Sequence, residues 1–102
     1  MIKTIRRLVM AGRYRLTKHA RFSSQSRKIS VNDIEDVFRV GKIIEKHIDD
    51  FGYECYLIYG ERFNGDHIHI GCKIVEDYLQ INTVYFPYEE LWEDDWQRRK
   101  IR

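Results

Sequence analysis

His19 and Arg27 stand eight residues apart in the segment LTKHARFSSQSRKIS. On a helix that spacing is about 80° of rotation and roughly 12 Å of rise, so both reach one side, with Ser23 and Ser26 between them. Arg offers a charge-assisted fork to a phosphate, and His can move a proton near neutral pH. The surroundings favour an anion. Lys3, Arg6, Arg7, Arg13, Arg15, Lys18, Arg21, Arg27 and Lys28 precede Asn32 without one carboxylate, and all 16 acids follow from Asp33 onward. Composition alone does not separate a phosphate-facing surface from a solvated helix face; the lack of nearby acids keeps the first reading open.

A second group lies in the C-terminal half. His67 and His69 alternate with Ile68 and Ile70, so both histidines point away from the isoleucine face. Two histidines fall short of the three or four ligands that zinc needs, and Cys72 falls on the opposite face, so no metal and no cofactor are expected. His69 is open to a general-acid or hydrogen-bonding role, or to being an ordinary exposed histidine. Thr83 and Tyr85 could be site hydroxyls or plain strand formers. Tyr53, Tyr56, Tyr59 and Tyr78 could stack on bases of single-stranded RNA or pack half-buried.

These residues need elements to hold them. A chain of 102 residues is one domain with a modest core. Residues 1–11 read as a helix ended by Gly12. Thr17 caps a second helix to about Lys28, with Ala20 and Phe22 as its core contacts. Ser30 and Asp33 have capping-box spacing for a third, ended by Gly41, with Val31, Ile34, Val37 and Phe38 on one face. Strands follow at 43–48, 53–59, 67–75 and 78–86, with turns at Asn64-Gly65 and Glu76-Asp77. Residues 89–100 read as a final helix carrying Trp92 and Trp96 at i and i+4. The expected fold is α+β: N-terminal helices on one face of a four-stranded antiparallel sheet, with a short C-terminal helix. No apolar run approaches the roughly 20 residues that span a bilayer, and Cys55 and Cys72 lack metal-type spacing, so a cytoplasmic domain with reduced thiols is expected.

The pattern Leu16-x-x-His19-Ala20, then Arg27-x-Ile29-Ser30 opening a helix with Asp33-Ile34, resembles the start of a small bacterial domain family of unknown function. That family also ends in an Ile-His strand and a Thr-Val-Tyr-x-Pro strand, here Ile68-His69 and Thr83-Val84-Tyr85-Phe86-Pro87, with Trp92 beyond. The resemblance spans about Leu16 to Trp92. The family is similar in turn to the RelE-like and MqsR-like toxins of toxin–antitoxin pairs, within the barnase–EndoU–colicin–RelE class of metal-independent ribonucleases.

The resemblance implies an endoribonuclease that cleaves mRNA by attack of the 2′-OH. Its partners would be RNA and a cognate antitoxin carrying a CxxC zinc finger and a helix-turn-helix; an oligomer is compatible with it. By matching position the carried-over catalytic residues are His19, Arg27, His69, Thr83 and Tyr85. Lys18, Arg21, Arg15 and Lys28 are the candidates for RNA contacts. Two positions depart from the pattern: Ser23 stands where an arginine is usual, and Lys28 where a glycine is. The alternative is a non-catalytic module of the same fold that binds RNA or protein through the basic block; an inactive relative that keeps only antitoxin pairing is the reading that the Ser23 departure suits.

Overall fold

Ser30 closes a complete capping box. Its hydroxyl accepts from the Asp33 backbone at 3.0 Å, and the Asp33 carboxylate accepts from the Ser30 backbone at 2.9 Å. The computed structural model, which describes residues 1–101, starts helix α3 there, Val31–Val40. Burial pushes the Asp33 carboxyl up, but its hydrogen bonds to Ser30 and the Arg62 guanidinium at 3.2 Å hold it below the usual range. Gly41 ends the helix with ordinary negative φ rather than a left-handed turn. Glycine is required there because a Cβ would collide with the carbonyls of Val37 and Tyr59.

Helix α1, Ile2–Met10, is followed by Gly12 at φ +73°, where its freedom is used. Helix α2, Lys18–Ser26, is capped by Thr17, whose hydroxyl accepts from the Ala20 backbone at 3.1 Å. Ala20 reaches the core as expected, whereas Phe22 points outward, 72% exposed, and Ser23 and Ser24 are buried instead. Val31, expected on the buried face of α3, is likewise exposed.

The sheet has five strands and is mixed, which corrects the expected four-stranded antiparallel arrangement. Strand β1, Tyr14–Leu16, runs parallel to β5, Tyr78–Tyr85. The antiparallel strands β2 (Lys42–Ile48), β3 (Glu54–Glu61) and β4 (His67–Val75) complete the order β1-β5-β4-β3-β2. Three residues are too few to show a strand period, so β1 reads as a connection until its long-range partner is known.

One sheet face carries the core. Ile58, Ile68, Ile70, Leu79, Ile81 and Val84 meet Ile5 and Val9 of α1, Ala20 of α2, and Ile34, Val37 and Phe38 of α3. Register slips between Gly71 and Cys72 of β4, which face Thr83 and Ile81, so Asn82 is a bulge. The slip places Ile81 and Val84 on the same buried face and turns Thr83 and Tyr85 to the other. It explains the mixed alternation along this strand.

Residues 88–100 cover that other face around His67 and His69, and the expected final helix does not form. Trp92 and Arg99 instead make an antiparallel bridge, with Glu93 donating to the Arg98 carbonyl at 2.8 Å and Lys100 to that of Leu91 at 2.9 Å. Trp96 takes φ +61°, incompatible with a helix. Tertiary partners outweigh local helix preference. Trp92, 2% exposed, packs edge-on to His69 at 4.4 Å, and Trp96 stacks on His67 at 4.9 Å.

Candidate functional site

Helix α2 lies against β5, joined at its start by the Thr17 backbone donating to the Ile81 carbonyl at 3.0 Å. His19, Ser23 and Arg27 repeat at i, i+4 and i+8, so they share the side of α2 that faces the end of β5. Opposite them the bulge at Asn82 presents Thr83 and Tyr85. Tyr88, Leu91, Trp92 and Arg99 from the C-terminal segment close the third wall. The resulting depression has a volume of about 300 Å³. His19 is exposed and Arg27 half-buried, while Ser23 is 6% exposed at the base. The geometry therefore brings together four of the residues singled out from sequence: His19, Arg27, Thr83 and Tyr85.

His69 does not open into that depression. It is 0% exposed, enclosed by Tyr59, Tyr85 and Trp92, and is not the exposed-face histidine that alternation suggested. Its two ring nitrogens are both used. Nε2 lies 2.7 Å from the Trp96 carbonyl oxygen, which can only accept, so Nε2 carries the proton. Nδ1 is then the acceptor, and the Tyr85 hydroxyl donates to it at 3.1 Å. Burial pushes His69 below its ordinary pKa of 6.5, which keeps the ring neutral; the Trp96 carbonyl and Glu45 oppose this. Burial also raises the Tyr85 phenol. A neutral imidazole behind a half-buried phenol can take a proton that the phenol relays.

Beyond Tyr85 the open sheet face forms a second depression of about 270 Å³. His47 of β2, Cys55 and Leu57 of β3, Gly71 of β4 and Asn82 of β5 line it. Thr83, Tyr85 and Arg99 line both depressions. Gly71 has a packing reason to lack a side chain, because a Cβ would collide with the Thr83 hydroxyl. Arg99 grips Glu45 with two hydrogen bonds, Nε at 2.6 Å and Nη2 at 3.0 Å, and lies over the Trp92 ring.

The remaining candidates are dispersed. Arg15 stacks on Tyr78 and, with Arg21, lines a broader depression between β1, α2 and α3. Lys18 and Lys28 are exposed and line neither depression at Tyr85. Part of the basic N-terminal block has structural partners. Arg6 donates to the carbonyls of Phe38 and Gly41 at the end of α3, and Arg13 pairs with Asp77. His67 is held by the Tyr59 hydroxyl at 2.9 Å. Among the described residues no three His, Cys, Asp or Glu side chains cluster as a metal site would require. Cys55 and Cys72 are free thiols, on opposite sheet faces. No described helix is long and apolar enough to cross a membrane.

Sequence reasoning missed Arg99, Tyr88 and Leu91 as wall residues. An arginine near the end of a chain has no local signature; only the acid–base pair with Glu45, 54 residues away, reveals its place.

The arrangement is an α+β domain with a polar groove where one helix meets the end of the central strands. The chain belongs to the family described as Domain of unknown function (DUF4258), whose model matches residues 16–86. His19, Ser23, Arg27, His69, Thr83 and Tyr85 lie inside the matched stretch; Trp92, Trp96 and Arg99 lie beyond it. No curated protein and no solved structure matches the chain.

Proposed function

We propose that the groove cleaves single-stranded RNA by attack of a ribose 2′-OH on the adjacent phosphorus, with acid, base and charge supplied by side chains. The observation that carries this reading is the common wall formed by His19, Arg27, Thr83 and Tyr85, drawn from two ends of the matched domain. The Tyr85 oxygen takes the 2′-OH proton while its own proton passes to Nδ1 of His69. The 2′ oxygen bonds to phosphorus, the bond to the 5′ oxygen breaks, and His19 acts as the general acid that supplies the proton to that leaving oxygen. Arg27 offsets charge on the pentavalent phosphorus, and Thr83 hydrogen-bonds a phosphate oxygen. His69 is thus a positioning and proton-accepting group behind Tyr85. The products are a 2′,3′-cyclic phosphate and a 5′-OH.

The resemblance of the sequence motifs to RelE-like and MqsR-like toxins would imply the same chemistry, together with an antitoxin that covers the groove. The second reading, a binding module without turnover, is favoured by Ser23, which leaves the centre of the α2 face without a charge. Incubation of the purified protein with single-stranded RNA in a chelator separates the two. Cleavage leaving cyclic phosphate ends, reduced by at least about 100-fold in His19→Ala, is the expected result. RNA that is bound in a strongly salt-dependent way but never cut would instead establish the binding module.

A further inference from the structure

The groove against α2 accounts for only one of the two depressions that meet at Tyr85. The other lies on the open face of β2 to β5, and Thr83, Tyr85 and Arg99 are common to both. At about 300 and 270 Å³, each is at or below the lower end of ordinary ligand pockets, about 300–1,000 Å³. Neither holds more than one small planar group with its sugar. A ligand that filled both would pass directly over Tyr85.

We infer that the sheet-face depression is a second nucleotide subsite. An RNA strand would straddle Tyr85, with one nucleoside against α2 and its neighbour on the sheet. This rests on the ribonuclease reading of the groove. The chemistry of the walls fits a nucleoside. Leu57 gives an apolar surface where a base can lie, bordered by the Thr83 hydroxyl, which fills the space over Gly71. The Asn82 carbonyl oxygen is already engaged by Gln80 at 2.7 Å, which leaves its amide N–H groups for base acceptors. Among the described lining residues Glu45 is the only carboxylate, and Arg99 neutralises it with a two-point pair, so the strand meets no bare negative side chain from them. The shared residues set the register. Tyr85 and Thr83, the groups placed on the 2′-OH and phosphate, sit at the divide, so the linkage between the two nucleotides is the one cut.

The test uses ligands that cannot be cleaved: a 2′-O-methyl mononucleotide 3′-phosphate and a 2′-O-methyl dinucleotide, titrated into the native chain with backbone amides followed by NMR. The dinucleotide should bind at least about fivefold tighter, the lower range for stacking one more base. It should shift amides at both Ser23–Arg27 and Leu57–Gly71, whereas the mononucleotide should shift one set. Leu57→Trp, whose larger ring fills the sheet-face depression, should bring the ratio of the two affinities to about one while the amide spectrum elsewhere stays that of the folded protein. Equal affinities with shifts confined to α2, in a protein that still cuts RNA, would overturn the subsite and leave the ribonuclease reading standing. If neither ligand binds and RNA is not cut, both fall.

Discussion

Tyr85 and His69 stand directly opposite each other on neighbouring strands, and the phenol donates a 3.1 Å hydrogen bond to Nδ1 of the buried ring. The Trp96 carbonyl on Nε2 fixes the direction of that bond. The pair therefore acts as a unit in which only Tyr85 meets the groove. Tyr85→Phe keeps the ring packing and removes the relay. Cleavage should fall by about 100-fold or more, while the Kd for a 2′-O-methyl RNA moves by less than about threefold. The pH profile adds a readout that mere packing would not move. Wild-type activity should persist somewhat below pH 6.5 and then decline as pH falls through the lowered pKa of His69. The Phe variant should lack that acidic limb. An unchanged kcat in Tyr85→Phe would remove the relay from the mechanism.

The same histidine should make stability depend on pH. Its folded pKa lies below the unfolded value of 6.5, because burial opposes the charge, with Arg99 and His67 adding to the effect and Glu45 opposing it. Between the two values the unfolded chain binds more protons, so stability rises with pH there. The contribution of His69 is complete above about pH 6.5 and is lost as pH falls toward the folded value. Urea midpoints should therefore drop from pH 7.5 to pH 5.5. In His69→Gln, which can still donate to the Trp96 carbonyl, that portion of the drop should vanish. Parallel midpoint curves for the two proteins would mean that the ring titrates alike folded and unfolded.

Local rules made part of this molecule readable from its residues. Thr17 and Ser30 mark helix starts because capping is decided within four residues, and both caps form. The spacing of His19 and Arg27 was enough to place them on one side of α2. Long-range relations were not readable. β1 becomes a strand only because β5 lies beside it, and the final helix fails because Trp92 and Trp96 find His69 and His67. The bulge left a trace: apolar residues at 79 and 81 resume at 84, a one-residue slip in the period of two. That slip turns Thr83 and Tyr85 toward the groove, so it is the signal that would have fixed the site face.

Ser23 sits at the base of the groove between His19 and Arg27, one helical turn from each. Its position suits a phosphate contact that serine is too short and uncharged to make. Ser23→Arg should raise affinity for single-stranded RNA and steepen its dependence on salt. One added phosphate contact corresponds to a change of about 0.7 in the slope of log K against log salt. The crowding of like charge with Arg27 should lower helix stability by a few tenths of a kcal/mol. Binding curves measured across salt concentrations decide the point. If the slope is unchanged, position 23 does not meet the backbone.

Arg99 links the C-terminal segment to the reading of the groove, because it neutralises Glu45 where the two depressions join. Arg99→Ala removes a cation and also uncovers a carboxylate facing the path of the strand. Its cost should therefore exceed that of losing one phosphate contact, on the order of tenfold or more in RNA affinity. Glu45→Gln in the same background should recover part of the loss, although no positive charge returns. Arg99→Lys should restore less than the charge alone suggests, since an ammonium cannot hold both carboxylate oxygens as the guanidinium fork does. Affinities of the three variants and wild type for a 2′-O-methyl RNA check the order: Arg99→Ala weakest, the double variant above it, and wild type above all three. A double variant no better than Arg99→Ala would show that masking Glu45 is not what Arg99 contributes.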